Sequence, residues 1–180
     1  GAGIDCFLAS QAVGSAGRVI GVDMTAEMID RARSNALMNG VENAEFRLGE
    51  IEHLPVADNS IDVIFSNCVI NLSPEKGQVF KDAYRVLRPG GRLAISDVVA
   101  TADMPEELRQ QAAMLTGCIA GAEHIDRLRK LLDDTGFEKV AITVKSYSKE
   151  LVGQWFPGSG AENYVASADI EATKPARPTP

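Results

Sequence analysis

The chain has 180 residues, 45% of them hydrophobic and 24% charged, with three cysteines. That length and balance describe one globular domain with a core of its own, and exclude a disulfide-stapled miniprotein or a chain disordered throughout. A formal charge of −7 repels phosphate backbones and anionic lipid, and no apolar run approaches the roughly 20 residues of a membrane span, so neither nucleic acid nor membrane is an expected partner and the cytoplasm is the expected location.

Apolar residues Ile4, Phe7 and Leu8 place a helix over residues 4–15, and residues 18–23 read as a buried strand ending in Asp23. Thr25 is an N-cap candidate for a helix whose stripe is Met28, Ile29, Ala32, Ala36 and Leu37 and whose stop is Gly40. A short strand follows at 44–48. The near-continuous apolar run 61–66 predicts a strand in the centre of the sheet. Ser73 and Pro74 open a helix carrying Val79, Phe80, Ala83, Tyr84 and Leu87, which ends at Pro89-Gly90-Gly91 before a strand over 92–99. Helical stretches at 105–119 and 123–135 interrupt the rhythm, the first within a helical insertion over about 103–122. Segments 137–146 and 164–172 alternate and pair as a final antiparallel ribbon around a loop at 153–160. The tail 174–180 holds three prolines and is expected to fray. Strands alternating with helices define an α/β chain, doubly wound and mostly parallel, with an antiparallel carboxy-terminal strand.

Gly1-Ala2-Gly3 heads the first helix, and Asp23 ends the next strand twenty residues after Gly3. Such glycines let backbone N–H groups approach a nucleoside, and a strand-end carboxylate accepts hydrogen bonds from ribose hydroxyls. A dinucleotide fingerprint wants a third glycine where this chain has Cys6, which disfavours a nicotinamide dehydrogenase. S-adenosylmethionine has no pyrophosphate and needs no such glycine.

The opening GAG, VIGVDMT, SNCVINLSPEK and VLRPGGRLAISD together resemble the class I S-adenosylmethionine-dependent methyltransferases. Cys6 in GIDCF, Cys68 in SNCVINLS and Cys118 in GCIAGA resemble the arsenite methyltransferase branch in particular. The resemblance implies a Rossmann-like sheet and S-adenosylmethionine as cofactor. Gly1 and Gly3 would line its methionine moiety, Asp23 hold the ribose, Met24 lie against the adenine, Ile51 and Glu52 reach the adenine edge, and Asn67 face the cofactor from a strand end. It also implies that a first strand and a further cysteine precede Gly1, so that this chain is amino-terminally truncated.

Each cysteine alone reads as a small buried apolar residue. Their positions say more, because all three map to the carboxyl-end rim of the strands, where open α/β sheets bind ligands. Trivalent arsenic is soft and thiophilic, and thiolates select it over hard cations. Cys68 and Cys118 are the expected principal ligands, with Cys6 a third thiol or a redox partner. The implied partners are arsenite presented as a glutathione or dithiol complex, and a reductant such as thioredoxin or glutathione. His53 reads as a turn residue and His124 as a surface one; Asp97 faces the pocket or caps the sheet rim; Glu106 and Glu107 with Arg109 form a solvated helix face; Trp155 and Phe156 are a flap or a core anchor. Competing readings are a methyltransferase acting on a quinone-like or other small organic acceptor, and a non-catalytic arsenite-binding fragment.

Overall fold

The computed structural model describes residues 1–108, 110, 117–155 and 157–176. Backbone contacts divide the chain into two compact units, Gly1–Val56 and a second that begins at Ala57. Strands and helices alternate in both, giving an α/β, Rossmann-like fold with mostly parallel pairings and an antiparallel carboxy-terminal strand.

The first unit comprises α1 (Ile4–Val13), β1 (Val19–Asp23), α2 (Ala26–Met38) and β2 (Ala44–Leu48). β1 and β2 pair in parallel from Val19↔Ala44 to Asp23↔Leu48, and α2 is the crossover such a pair requires. Ile29, Ala32 and Ala36 of α2 pack on Phe46, joined by Phe7, Val41, Ala44 and Cys6. Phe7 meets Phe46 edge to face, with ring centroids 5.9 Å apart. Leu37, assigned to the apolar stripe, is instead 84% exposed. The buried face runs through 29, 32 and 36, and Leu37 lies about 100° further round.

The second unit comprises β3 (Ile61–Asn67), a 3-10 turn (Ile70–Leu72), α3 (Lys76–Val86), β4 (Leu87–Ala100), α4 (Gly117–Ala120), β5 (Glu123–His124), α5 (Ile125–Thr135), β6 (Glu138–Val144), α6 (Ser148–Trp155), a second 3-10 turn (Ala161–Asn163) and β7 (Val165–Thr173). The strand order is β3-β4-β7-β6, with β5 paired to the end of β4. β3 runs parallel to β4, while β7 lies antiparallel to both β4 and β6. The alternating ribbon anticipated for β6 and β7 is present. β7 buries Ala166, Ala168, Ile170 and Ala172, and α6 adds Val152 to a cluster with Val98, Ile119, Ala161 and Val165.

Several expectations are corrected. β3 lies at the end of the order, not in the centre: among the described residues it pairs with β4 alone, and Val63 and Phe65 are 38% and 45% exposed. A continuous apolar run marks a strand that can be covered on both faces without specifying which strands flank it. α3 begins at Lys76, two residues beyond Pro74; Ser73 closes the preceding 3-10 turn, and its Oγ accepts from Glu75 N at 3.1 Å. β4 already begins at Leu87 and runs through Pro89-Gly90-Gly91. The loop expected from 153 is preceded by helix, since α6 continues to Trp155. Lys174, assigned to the frayed tail, is 9% exposed and donates to Asn59 Oδ1, Tyr84 O and Leu87 O at 2.7–2.8 Å. Part of the helix anticipated at 105–119, including Arg109 and residues 111–116, lies outside the described residues, as does Phe156.

Candidate active site

In the first unit the parallel strands end together, where Gly49 N donates to Asp23 O at 3.0 Å. Six of the seven expected cofactor-side residues belong to this unit: Gly1, Gly3, Asp23, Met24, Ile51 and Glu52. Gly3 caps α1 at φ 97, a left-handed conformation, and a methyl placed there would come within 2.7 Å of the Phe7 ring. Asp23 accepts from Thr25 N at 2.8 Å and from the Gly1 amine. Burial raises its carboxyl, and the bond from Thr25 N works against this. Met24, the next residue, is 71% exposed. Ile51 and Glu52 lie half-buried in the turn after β2. The seventh, Asn67, ends β3 in the second unit and is exposed. Cys6 packs within the first unit's apolar cluster, its sulfur so close to Gly21 that a methyl there would approach it to 2.9 Å. Burial and then Asp5 push its thiol up.

The second unit brings together two thiols fifty residues apart. Cys68 leaves the end of β3 at φ 53, a left-handed backbone that a non-glycine residue adopts at a cost, and its N–H donates to Ser96 O on β4 at 2.9 Å. Cys118, on α4, donates from Sγ to Cys68 O at 3.4 Å. Both sulfurs are free and half-buried. Burial pushes the Cys68 thiol up, Asp97 and Cys118 add to this, and Lys145 opposes it. Burial and Asp97 likewise raise Cys118, whereas Cys68 lowers it. Both groups are therefore largely protonated thiols at neutral pH. Among the described residues no three His, Cys, Asp or Glu side chains are arranged to hold a metal ion.

Close packing holds the pair. Asn71, 7% exposed, donates from Nδ2 to Asp97 Oδ1 at 2.9 Å, Val98 O at 2.6 Å and Cys118 O at 3.1 Å. It thereby ties the turn after Cys68 both to the end of β4 and to Cys118. Glycines on either side of Cys118 permit the approach: a methyl on Gly121 would collide with the Asn71 carbonyl oxygen, and one on Gly117 would come within 2.9 Å of Leu72. Asp97 is 2% exposed and also accepts from Val98 N at 2.8 Å. Burial raises its carboxyl against these bonds and against the attraction of Lys76. Lys76, itself 9% exposed, donates to Ser73 O at 3.2 Å, and burial lowers its ammonium pKa although Glu123 and Asp97 oppose this. Lys145 donates to Ser96 Oγ and pairs with Asp169, both at 2.8 Å.

Asp97, read as facing the pocket or capping the sheet rim, is buried and bonded to Asn71 and to Val98 N. Asn71, Lys76 and Lys145 were not singled out in the sequence. Asn71 stood inside SNCVINLS, but a polar residue after a strand reads as loop. Lys145 follows an alternating strand with no spacing that links it to Cys68. His53 lies in a turn, its N donating to Glu50 O at 3.2 Å, and His124 caps α5, its Nδ1 accepting from Asp126 N at 3.3 Å. Both expectations for the histidines agree with these positions. Trp155 is 43% exposed.

The model of a methyltransferase-domain family matches residues 1–136, and the chain belongs to that family. Within it, the chain is similar to the arsenite methyltransferase of Halobacterium salinarum, 58% identical over 177 residues, covering 98% of this chain and 45% of that protein. The human arsenite methyltransferase is 39% identical over 146 residues, covering 76% of this chain and 39% of its own length. The chain thus spans about half the length, or less, of the curated relatives it matches. Among solved structures, an arsenic(III) S-adenosylmethionine methyltransferase from Chlamydomonas reinhardtii superposes with a TM-score of 0.76 at 30% identity, covering 99% of this chain and 62% of that one. A Haemonchus contortus phosphoethanolamine N-methyltransferase reaches a TM-score of 0.79 at 16% identity, which speaks for the fold alone.

Proposed function

We propose that the chain is the methyl-transferring part of an arsenite methyltransferase, which passes a methyl group from S-adenosylmethionine to trivalent arsenic gripped by Cys68 and Cys118. The observation that carries this reading is the approach of two cysteines from distant segments, the Cys118 thiol donating to the Cys68 carbonyl, braced by Asn71 and by the glycines flanking Cys118. The names of the similar proteins point the same way.

The first unit's residues suit the cofactor by their chemistry. Asp23 is an ionised acceptor at a strand end, suited to a ribose diol, and Met24 offers exposed apolar surface beside it for an adenine. Gly1 and Gly3 would accompany the methionine moiety, Ile51 and Glu52 the adenine edge, and Asn67 is the remaining residue that the resemblance assigns to the cofactor. When bound, S-adenosylmethionine supplies an electrophilic methyl on a sulfonium.

Each cysteine exchanges for an oxygen or sulfur ligand of arsenic: an S–As bond forms, the bond to the departing hydroxide or glutathione thiolate breaks, and the cysteine proton leaves on the departing group. Two protein sulfurs suffice if the presenting glutathione or dithiol keeps the third position, and Cys6 enters only as an auxiliary thiol. Arsenic held by sulfur retains its lone pair, which is the nucleophile, so no side chain need remove a proton in the transfer. The protein's contribution is orientation, worth up to about 7–11 kcal/mol in well-aligned systems. Methylation oxidises arsenic, so a reductant such as thioredoxin or glutathione would have to complete each round. The reading implies a reducing compartment, the cytoplasm, where both thiols stay unbridged, and a role in arsenic detoxification.

The test is methyl transfer from labelled S-adenosylmethionine to arsenite in glutathione, comparing the protein with Cys68→Ser and Cys118→Ser. Loss of at least about 100-fold in turnover is expected for each, as for removal of a substrate-orienting group. Unchanged turnover in either variant would refute the two-sulfur mechanism.

A further inference from the structure

We propose that Asn35 is a positioning residue for the cofactor: its amide, bonded to the Ala2 carbonyl, holds the glycine turn in the shape that receives the methionine moiety of S-adenosylmethionine. That role presupposes the reading of Gly1 and Gly3 as neighbours of the methionine moiety. Its geometric basis is one bond between distant segments of the first unit. Asn35 Nδ2, on α2, donates to Ala2 O at 3.1 Å across 33 positions of sequence. Ala2 lies between the two glycines, so the bond falls in the middle of the turn.

The turn needs such a hold. Gly3 stands at φ 97, and its carbonyl accepts from Phe7 N at 3.0 Å as α1 begins. With glycine on either side of Ala2, the peptide that joins Ala2 to Gly3 can rotate at little steric cost. That peptide is planar, so fixing the Ala2 oxygen also fixes the Gly3 N–H, which points the opposite way. Among the described residues the Gly3 N–H has no acceptor. A backbone donor at the amino end of a helix suits an anion, and the methionine moiety carries a carboxylate.

The donor is itself held. Asn35 follows Ala32 by three residues and adjoins Ala36, and both alanines are buried in the cluster around Phe46. Its own carbonyl accepts from Asn39 N at 3.1 Å and from Asn39 Nδ2 at 2.8 Å. Core packing thus sets which way α2 faces, and the half-buried amide is left on the side of the glycine turn. The ribose acceptor has a support of its own, since Asp23 accepts from Thr25 N at 2.8 Å. The two halves of the cofactor therefore depend on different bonds: the methionine half on Asn35 through Ala2, the nucleoside half on Thr25 through Asp23.

The test is isothermal titration of the protein, Asn35→Leu and Asn35→Ala with two probes: S-adenosylhomocysteine, and 5′-methylthioadenosine, which lacks the amino acid end. Leucine keeps the bulk and alanine removes it; neither donates a hydrogen bond, and both favour a helix more than asparagine, so α2 should persist. In both variants the affinity for S-adenosylhomocysteine is expected to fall about threefold to tenfold, the range that one hydrogen bond accounts for. Affinity for 5′-methylthioadenosine should change by less than about twofold, because groups without shared partners respond independently. Unchanged affinity for S-adenosylhomocysteine in either variant, with its urea midpoint retained, would overturn the proposal, as would an equal loss for both probes, the mark of a general structural role. Neither probe contains arsenic, so the arsenic assignment does not enter the result. Failure of the protein itself to bind either probe would overturn the cofactor reading and the Asn35 role with it, whereas variants that match a binding protein overturn the Asn35 role alone.

Discussion

At the residue scale, Cys68 carries a conflict between conformation and chemistry. A cysteine at φ 53 costs roughly 1 kcal/mol more than a glycine there, and strained residues of this kind gather at functional sites. If the thiol is retained for its chemistry, Cys68→Gly should raise the stability of the protein by up to about 1 kcal/mol, measured by urea denaturation, while abolishing tight binding of one arsenite per chain. A destabilised glycine variant would show instead that the sulfur contributes mainly packing. That Cys68 and Cys118 approach each other was anticipated from the family resemblance and from the place of both beyond strand ends in the chain order. What was not legible is the support around them. Asn71, Asp97 and Lys145 act through bonds to residues 26, 47 and 49 positions away, distances at which residue type and local spacing carry no signal.

At the scale of elements, the turn through Ile70–Leu72 and the short helix Gly117–Ala120 form a clamp whose closeness depends on small residues. Gly121 faces the Asn71 backbone with no room for a methyl group. Gly121→Ala is therefore expected to cost about 1–3 kcal/mol of overpacking and to push Cys118 away from Cys68. The measurement is thermal melting together with arsenite titration: Tm and affinity should both fall, and unchanged affinity would show that the clamp does not set the spacing of the sulfurs. Most elements were legible for local reasons, since α2, α5, β6 and β7 carry clear apolar periods and glycine stops at Gly40 and Gly136. The helix α6 was missed altogether, because residues 147–152 carry too short a pattern and Gly153 and the glycines at 158 and 160 read as loop, whereas Val152 is fully buried against the β7 side of the unit. The position of β3 was misread because an apolar run indicates burial without naming its neighbours.

At the scale of the whole molecule, β4 links two ends of the second unit that do different work. Its carboxyl end carries Ser96 and Asp97 beside the thiols. Its amino end is pinned by Lys174, which reaches back 115 residues to Asn59 and also binds Tyr84 O and Leu87 O, its ammonium 4.5 Å from the Tyr84 ring centroid. Composition could not disclose this anchor, because a lysine among prolines reads as tail. Replacing it by methionine would fill similar volume but leave those buried acceptors without their donor, a loss of about 2–4 kcal/mol. Leu87 and Ser96 are nine residues apart on one strand, about 30 Å at the rise of an extended chain. At that separation the two ends should respond independently. Lys174→Met is thus expected to lower the urea midpoint clearly while leaving the pH profiles of iodoacetamide alkylation at Cys68 and Cys118 unchanged. A shift in either profile would mean that the far end of β4 transmits its strain to the thiols and that the clamp around them is not self-supporting.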